Sequence, residues 1–436
     1  MPFTVRALSQ KLLSLRDRAK RPDDPAKANA PDSDALGHPR VHIPMRDIPP
    51  DASEQSRLWL QGRFLARQEN WEALARGLRE ADQDRAGTIG GTPVARLLAE
   101  GACSDALDTA IVAVSRNDAI AARAALFALS DDLADGGGDP WLAGMLARAH
   151  VAVARGWTAA SGASASTPQR SDARAQHLET AARLLAGFDP IEYDSPALAE
   201  LRCALLELGP RPRSRVADDY EDLIDLSPAC PDHMRALGRD LMPDRFGSWT
   251  LIDREARRTA GRLSDVWGAG AYVWVWFDVL ASGEARAFAQ VDPELFAEGL
   301  HDILHRRPDQ HMANLLAAYC GLTLSGAAEP GSAQARICDC FGWIVQDHLR
   351  EIHPGLWAAA RPIPGKADEA ETLRRGSSRA VSTLAEHFAH QLRLGRQVHF
   401  NDAGVTLSPD SCTLAPCGSL AYPRADQRNE DRRCLT

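Results

Sequence analysis

Apolar residues recur at steps of three and four along most of this chain, and that period predicts an all-α protein. Leu58, Gly62 and Leu65 mark one helix, and Trp71, Leu74 and Leu78 mark the next. Further helices are expected over residues 93–101, 105–115, 118–129 and 141–157. After a break, the period resumes over 174–185, 195–208 and 220–226. A fresh helix opens at Pro231-Asp232 and carries Met234, Leu237 and Leu241. The remaining helices are predicted at 251–263, 266–281, 293–306, 309–324, 334–352 and 368–394. Ser195-Pro196 supplies an N-cap followed by proline at the first helical position.

The interruptions divide the chain. Residues 1–21 read as an amphipathic basic helix, with Val5, Leu8, Leu12 and Leu15 on one face. Residues 22–51 are rich in proline and aspartate without an apolar period, and are expected to be a flexible linker. A first helical array then spans 52–157, and a Ser/Ala/Gly-rich stretch over 158–171 is expected to be a mobile loop. A second array spans 172–395, and 396–436 is assigned to a short C-terminal β-hairpin and a tail. The hairpin expectation rests on alternation about Asp402-Ala403-Gly404.

Two junctions carry a family likeness. Pro228 closes one stripe, Gly238 follows ten positions later, Leu237 precedes the glycine, and Leu241 stands where a packing aromatic is usual. Gly62, Leu65, Leu74, Leu78 and Ala81 match the same spacing, with Gln61 in place of a leucine. These residues resemble tetratricopeptide (TPR) repeats. After Leu241 the pattern departs, since Met242-Pro243 shortens the helix before Phe246-Gly247-Ser248-Trp249. The resemblance implies a TPR-like helix-hairpin array, an α-solenoid, that binds a protein partner of unknown identity.

Composition narrows the choices. A net charge of -9 argues against general nucleic-acid binding, which needs a basic face to release counterions. Lysine occurs at positions 11, 20, 27 and 366 alone, so arginine carries the positive charge, as in a GC-rich bacterial genome. Nine cysteines, several inside helical stripes, suit a reducing compartment better than a disulfide framework. No run approaches a membrane span and the N-terminus lacks a secretory core, so a cytoplasmic location is expected. The basic segment 1–21 admits peripheral contact with an anionic membrane, which would make the chain a membrane-surface adaptor.

Candidate chemistry is sparse. In 293–306, Glu294, Glu298, His301 and His305 fall on one helical stripe, and the two histidines have the spacing of metal ligands. The run His301-Asp302-Ile303-Leu304-His305 is similar to the zinc-protease pattern, with Asp302 in place of its glutamate. A metal-dependent hydrolase using His301, His305 and Glu298 is therefore the enzymatic alternative. The competing reading is a solvated face opposite Phe296, Leu300 and Ile303. His387 with His390, His348 with His353, and Cys338, Cys340, Cys412 and Cys417 are weaker ligand groups. Residues 266–280 hold Trp267, Tyr272, Trp274, Trp276 and Phe277. They predict a helix buried at the centre of an array, although 272–277 also fits a strand and the aromatics could line a ligand groove. Phosphate loops, nucleophile elbows and dinucleotide fingerprints are missing, and Gly87–Thr92 (GTIGGT) reads as a hinge or turn. No cofactor is expected, and the leading expectation is a non-enzymatic helical-repeat scaffold.

Overall fold

The computed structural model describes residues 40–132, 138–161, 167–326, 328–362 and 367–409. Strand β1 (Val41–His42) comes first, followed by helices α1 (Pro50–Arg67), α2 (Trp71–Gln83), α3 (Val94–Ala102), α4 (Ser104–Ser115) and α5 (Ala119–Asp132). Next come α6 (Pro140–Ser161), α7 (Pro168–Leu185), α8 (Pro196–Ala204), α9 (Pro212–Leu226) and α10 (Pro231–Asp240). The chain continues through α11 (Trp249–Arg262), α12 (Gly270–Ala281), α13 (Ala285–Phe288), α14 (Pro293–Arg306) and α15 (Gln310–Ala318). It closes with α16 (Ala333–Trp343), α17 (Pro354–Ala359), α18 (Glu369–His387), α19 (Ala389–Arg393), β2 (Arg396–Asn401) and β3 (Gly404–Pro409). The described protein is thus mostly helical, with one three-stranded sheet.

Local chemistry sets many of these boundaries. Proline opens α1, α6, α7, α8, α9, α10, α14 and α17, where its missing N–H costs nothing because the first turn has no intrahelical acceptor for it. Asn70, Thr167, Ser195, Ser248, Asp292, Asp309, Ser332 and Asp368 cap their helices with a side-chain oxygen.

Helix α12 lies at the centre of the larger core, packed by α10, α11 and α14. Every residue from Gly270 to Phe277 is buried, so the stretch that also fitted a strand is a helix. A helix apolar on all sides has no face to give to water and therefore settles where neighbours surround it. Trp267, Trp274 and Phe277 form a chain of tilted and edge contacts, and Phe277 stacks on Tyr319 with centroids 3.9 Å apart. A second core gathers Leu74, Leu98, Ile111, Leu126, Trp141, Met145 and Trp157 from α2 to α6.

Gly62 and Gly238 both sit where helices nearly touch. A Cβ on Gly238 would overlap the Val275 carbonyl of α12, and one on Gly62 would overlap the Leu98 carbonyl of α3. Each glycine thus faces a helix two places further along the chain rather than its immediate neighbour. Gly101 returns the contact from α3, pressed against the Trp59 carbonyl of α1.

Several expected boundaries are corrected. The end of the expected linker is ordered: Val41 pairs in parallel with Val398, Met45 bridges Ile352, and Asp51 is buried at the start of α1. The first two of those partners lie 357 and 307 positions away, so no local pattern announces them. The stretch expected as a loop over 158–171 is helical at both ends, since α6 runs to Ser161 and α7 starts at Pro168; residues 162–166 lie outside the described residues. The long helices expected at 309–324 and 334–352 each pass into a π-turn, over Tyr319–Thr323 and Ile344–His348. The hairpin forms with a two-residue loop, Asn401 pairing with Gly404, and its ladder runs out to Arg396 opposite Pro409. The segment 1–21, Gly136, Gly137 and the tail from Asp410 lie outside the described residues.

Candidate functional site

The predicted metal ligands are placed on the outer face of α14. His301 is exposed, and its ring stacks on Trp343 at 3.7 Å and 12°. His305 is exposed, Glu298 also faces out, and Glu294 pairs with Arg336 at 2.7 Å. Asp302 holds the backbone in place, because the N–H of Ala269 donates to its Oδ2 at 2.7 Å and so fixes the entry to α12. Among the described residues, no group of three or more His, Cys, Asp or Glu side chains gathers as a metal site. His387 and His390 are separated by the helix break at Phe388, and His353 is buried against Glu351 at 3.0 Å. Cys338 and Cys340 donate to different carbonyls, those of Leu324 and Arg336, while Cys412 and Cys417 lie outside the described residues.

The structure instead concentrates polar groups where α3, α6, α8 and α10 meet. Arg96 comes from α3, Arg148 from α6, Glu200 from α8, and Asp232 and His233 from α10. Arg148 grips Glu200 with both terminal nitrogens, at 3.2 Å and 2.9 Å. Arg96 reaches Glu200 at 3.3 Å and Asp232 at 2.6 Å, so four charges from four helices form one chain. Burial would raise the Glu200 carboxyl, but Arg148 and Arg96 outweigh it and hold it well below its ordinary range. The same competition, with Arg96 and Arg235 opposing burial, lowers Asp232. His233 is 2% exposed, and burial pushes it down to about 4, so its imidazole is neutral at pH 7.

This network walls a cavity of about 260 Å³. Arg85, Arg96, Arg148, Arg307, Asp82 and Glu200 bring charge to its lining, and alanines and prolines supply much of the rest. Three helix starts converge here, through Pro93 and Ala95 of α3, Pro196 and Ala197 of α8, and Cys230 of α10. Asp82 caps α8 by accepting the Ala197 N–H at 2.9 Å, and it also accepts from Ser195 and from Trp141 at 3.0 Å. The other two starts carry no side-chain cap. Thr88 Oγ1, Arg96 Nε and His233 Nε2 are buried without a hydrogen-bond partner, and all three residues line the cavity. The Gly87–Thr92 turn forms part of the wall, held by a hydrogen bond from Gly90 N–H to Asp51 at 2.6 Å. Across the Arg148–Glu200 pair lies a smaller cavity of about 50 Å³ whose lining includes Glu100 and Arg155. Glu100 is pushed up to about 7 by burial.

Sequence reasoning missed this cluster. Its members stand up to 137 positions apart and each reads as an ordinary charge on an amphipathic helix. The signal that was legible is the proline at or next to three helix starts, Pro93, Pro196 and Pro231. No known family model matches the chain, and neither does any curated protein or solved structure.

Proposed function

We propose that the chain is a non-enzymatic scaffold, a TPR-like helical array of the α-solenoid kind that binds a protein partner in the cytoplasm. The observation that carries this reading is a pair of apolar faces turned to solvent. On α1, Leu60 and Phe64 are four positions apart and 54% and 63% exposed. On α5, Ile120 and Phe127 are seven apart and 74% and 70% exposed. Residues so spaced share one side of a helix, and large side chains left in water at that spacing suit a partner surface. Reactive groups for a covalent mechanism are muted. Burial pushes Cys103 and Cys230 up to about 12 and Cys338 up to about 11, which keeps these thiols protonated and weakly nucleophilic at pH 7. No described helix is long and apolar enough to cross a membrane. The hydrolase alternative draws no support from the stacked His301 and the exposed His305, and the membrane-adaptor alternative depends on residues 1–21.

Photo-cross-linking in the source cell tests the reading. A photoreactive residue at position 64 or 127 should give an adduct of defined mass, and one at exposed position 116 should not. Absence of adducts from both 64 and 127 overturns it.

A further inference from the structure

We propose that the cavity at the junction of α3, α6, α8 and α10 is a binding site for a small molecule bearing one oxyanion group, a phosphate or a carboxylate. Unmet hydrogen-bonding capacity is the first sign of it. A buried polar atom without a partner has given up its hydration for nothing, and most native proteins avoid it. Here Thr88 Oγ1, Arg96 Nε and His233 Nε2 share the fault at one place, on residues that are themselves cavity lining. Thr88 is 4% exposed and His233 2% exposed, so bulk water does not relieve them. Arg96 Nε is a donor, the threonine hydroxyl donates or accepts, and a neutral imidazole offers an N–H at Nε2 in one of its tautomers. All three can serve an acceptor-rich guest.

The field at the cavity selects the sign of that guest. Among the charges around it, Arg85 is matched by Asp194, Arg96 by Asp232 and Glu200, and Arg148 by Glu200, while the Asp82 carboxylate is taken up by the Ala197 N–H, Ser195 and Trp141. Arg307 is different. Its guanidinium lies over the Trp267 ring at 5.3 Å and forms no ion pair with a described carboxylate. To this charge is added the start of α3, which has no side-chain cap and no acidic residue in its first turn and is equivalent to roughly half a positive charge, whereas Asp232 offsets the start of α10. An anion is therefore the guest the surroundings favour.

Size and wall chemistry limit the rest of the molecule. About 260 Å³ is slightly below the roughly 300–1,000 Å³ of ordinary small-molecule pockets. Ala81, Ala86, Ala95, Ala197 and Ala229 leave a smooth wall with few further donors, which suits a short carbon skeleton behind the anionic group. The site lies where three helix starts converge, so a guest there would touch α3, α8 and α10 together.

Isothermal titration of the full chain with sodium phosphate, and separately with sodium butyrate, tests the proposal, with sodium chloride at matched ionic strength as control. Saturable binding of one equivalent of either anion, with a raised melting temperature, is expected. A response to phosphate alone assigns a phosphate-bearing ligand, and a response to butyrate alone assigns a carboxylate. Arg307→Gln should weaken binding at least tenfold, and Thr88→Val severalfold, with Arg307→Lys recovering part of the loss. Arg307 sits past the end of α14 outside the ion-pair chain, so its change should leave folding intact, which a thermal melt checks. Lack of saturable binding by the unmodified chain overturns the site, whatever the variants do. Binding that neither substitution alters also overturns it.

Discussion

Helix α12 and the polar junction of α3, α6, α8 and α10 are both buried meetings of helices, yet they are built from opposite materials. Around α12 the contacts are indole on indole and aliphatic on aromatic. At the junction, the chain Asp232–Arg96–Glu200–Arg148 joins α10, α3, α8 and α6. Apolar burial contributes roughly 25 cal/mol per Å² and is indifferent to orientation. Buried ion pairs lose most of their attraction to desolvation, but they tolerate few geometries. The aromatic centre therefore supplies stability, while the junction fixes how α3, α6, α8 and α10 are set against one another. Both leave buried polar atoms without a partner, the Trp274 and Trp276 indole nitrogens in the first and Thr88, Arg96 and His233 atoms in the second.

The largest effect should come from the aromatic side. Trp276→Ala removes a fully buried indole from α12 and should cost about 3–5 kcal/mol, measured by urea unfolding. A loss below ~1 kcal/mol would remove α12 from its place as the source of stability.

Acid should act on the polar side. His150 and His177 face each other Nδ1 to Nδ1 at 2.9 Å, and they and His233 are all pushed down to about 4, chiefly by burial. Unfolded histidine titrates near roughly 6.5, so as pH falls from there the unfolded chain binds more protons and stability drops, until the folded groups titrate too. At the acid end this amounts to on the order of 3 kcal/mol for each histidine. Glu100 opposes it: with its folded value raised to about 7, its contribution fades as pH rises from roughly 4.3 to 7. Burial also pushes His311, His348 and His387 down and Asp82 up, so the histidines outnumber the raised carboxyls and acidification leaves a net loss. Urea midpoints at pH 7, 6 and 5 should fall in that order, with a shallower fall in His177→Gln; a flat series contradicts the assignment.

A glycine pair separates close approach from mere helix preference. Gly238→Leu should drive α10 from α12 at a cost of ~1–3 kcal/mol, because the Val275 carbonyl is backbone and cannot swing aside. Gly261→Ala on α11 meets no atom within 4 Å and should gain roughly 0.5–1 kcal/mol from helix propensity. Equal melting temperatures for the two variants would show that the α10–α12 contact is not tight.

The smallest effect is expected on α14. Changing His301 and His305 together to alanine should cost less than ~1 kcal/mol, nearly all from the lost His301–Trp343 stack. Added zinc should leave the melting temperatures of both chains alike. Zinc-dependent stabilisation of the unmodified chain alone would restore the metal reading.

Much of the helical content was legible because its signals are local. Residues three and four apart share a face, and a cap or a proline acts within one turn, so 293–306 was bounded correctly from sequence and 231–241 to within a residue. The burial of Trp274 and Trp276 followed for the same reason, since a helix without a polar face has nowhere else to go. Glycine at 62 and 238 announced close approach, but not to what. That Gly238 meets Val275, that Val41 joins Val398, and that Arg96 finds both Glu200 and Asp232 were decided by tertiary packing. Those partners are 37 to 357 positions apart, and a charge on a solvated face is identical in sequence to one that will be enclosed. Only the assembled fold buries Glu200 and His233 together; there Arg148 and Arg96 outweigh burial and lower the Glu200 carboxyl, while burial leaves His233 neutral.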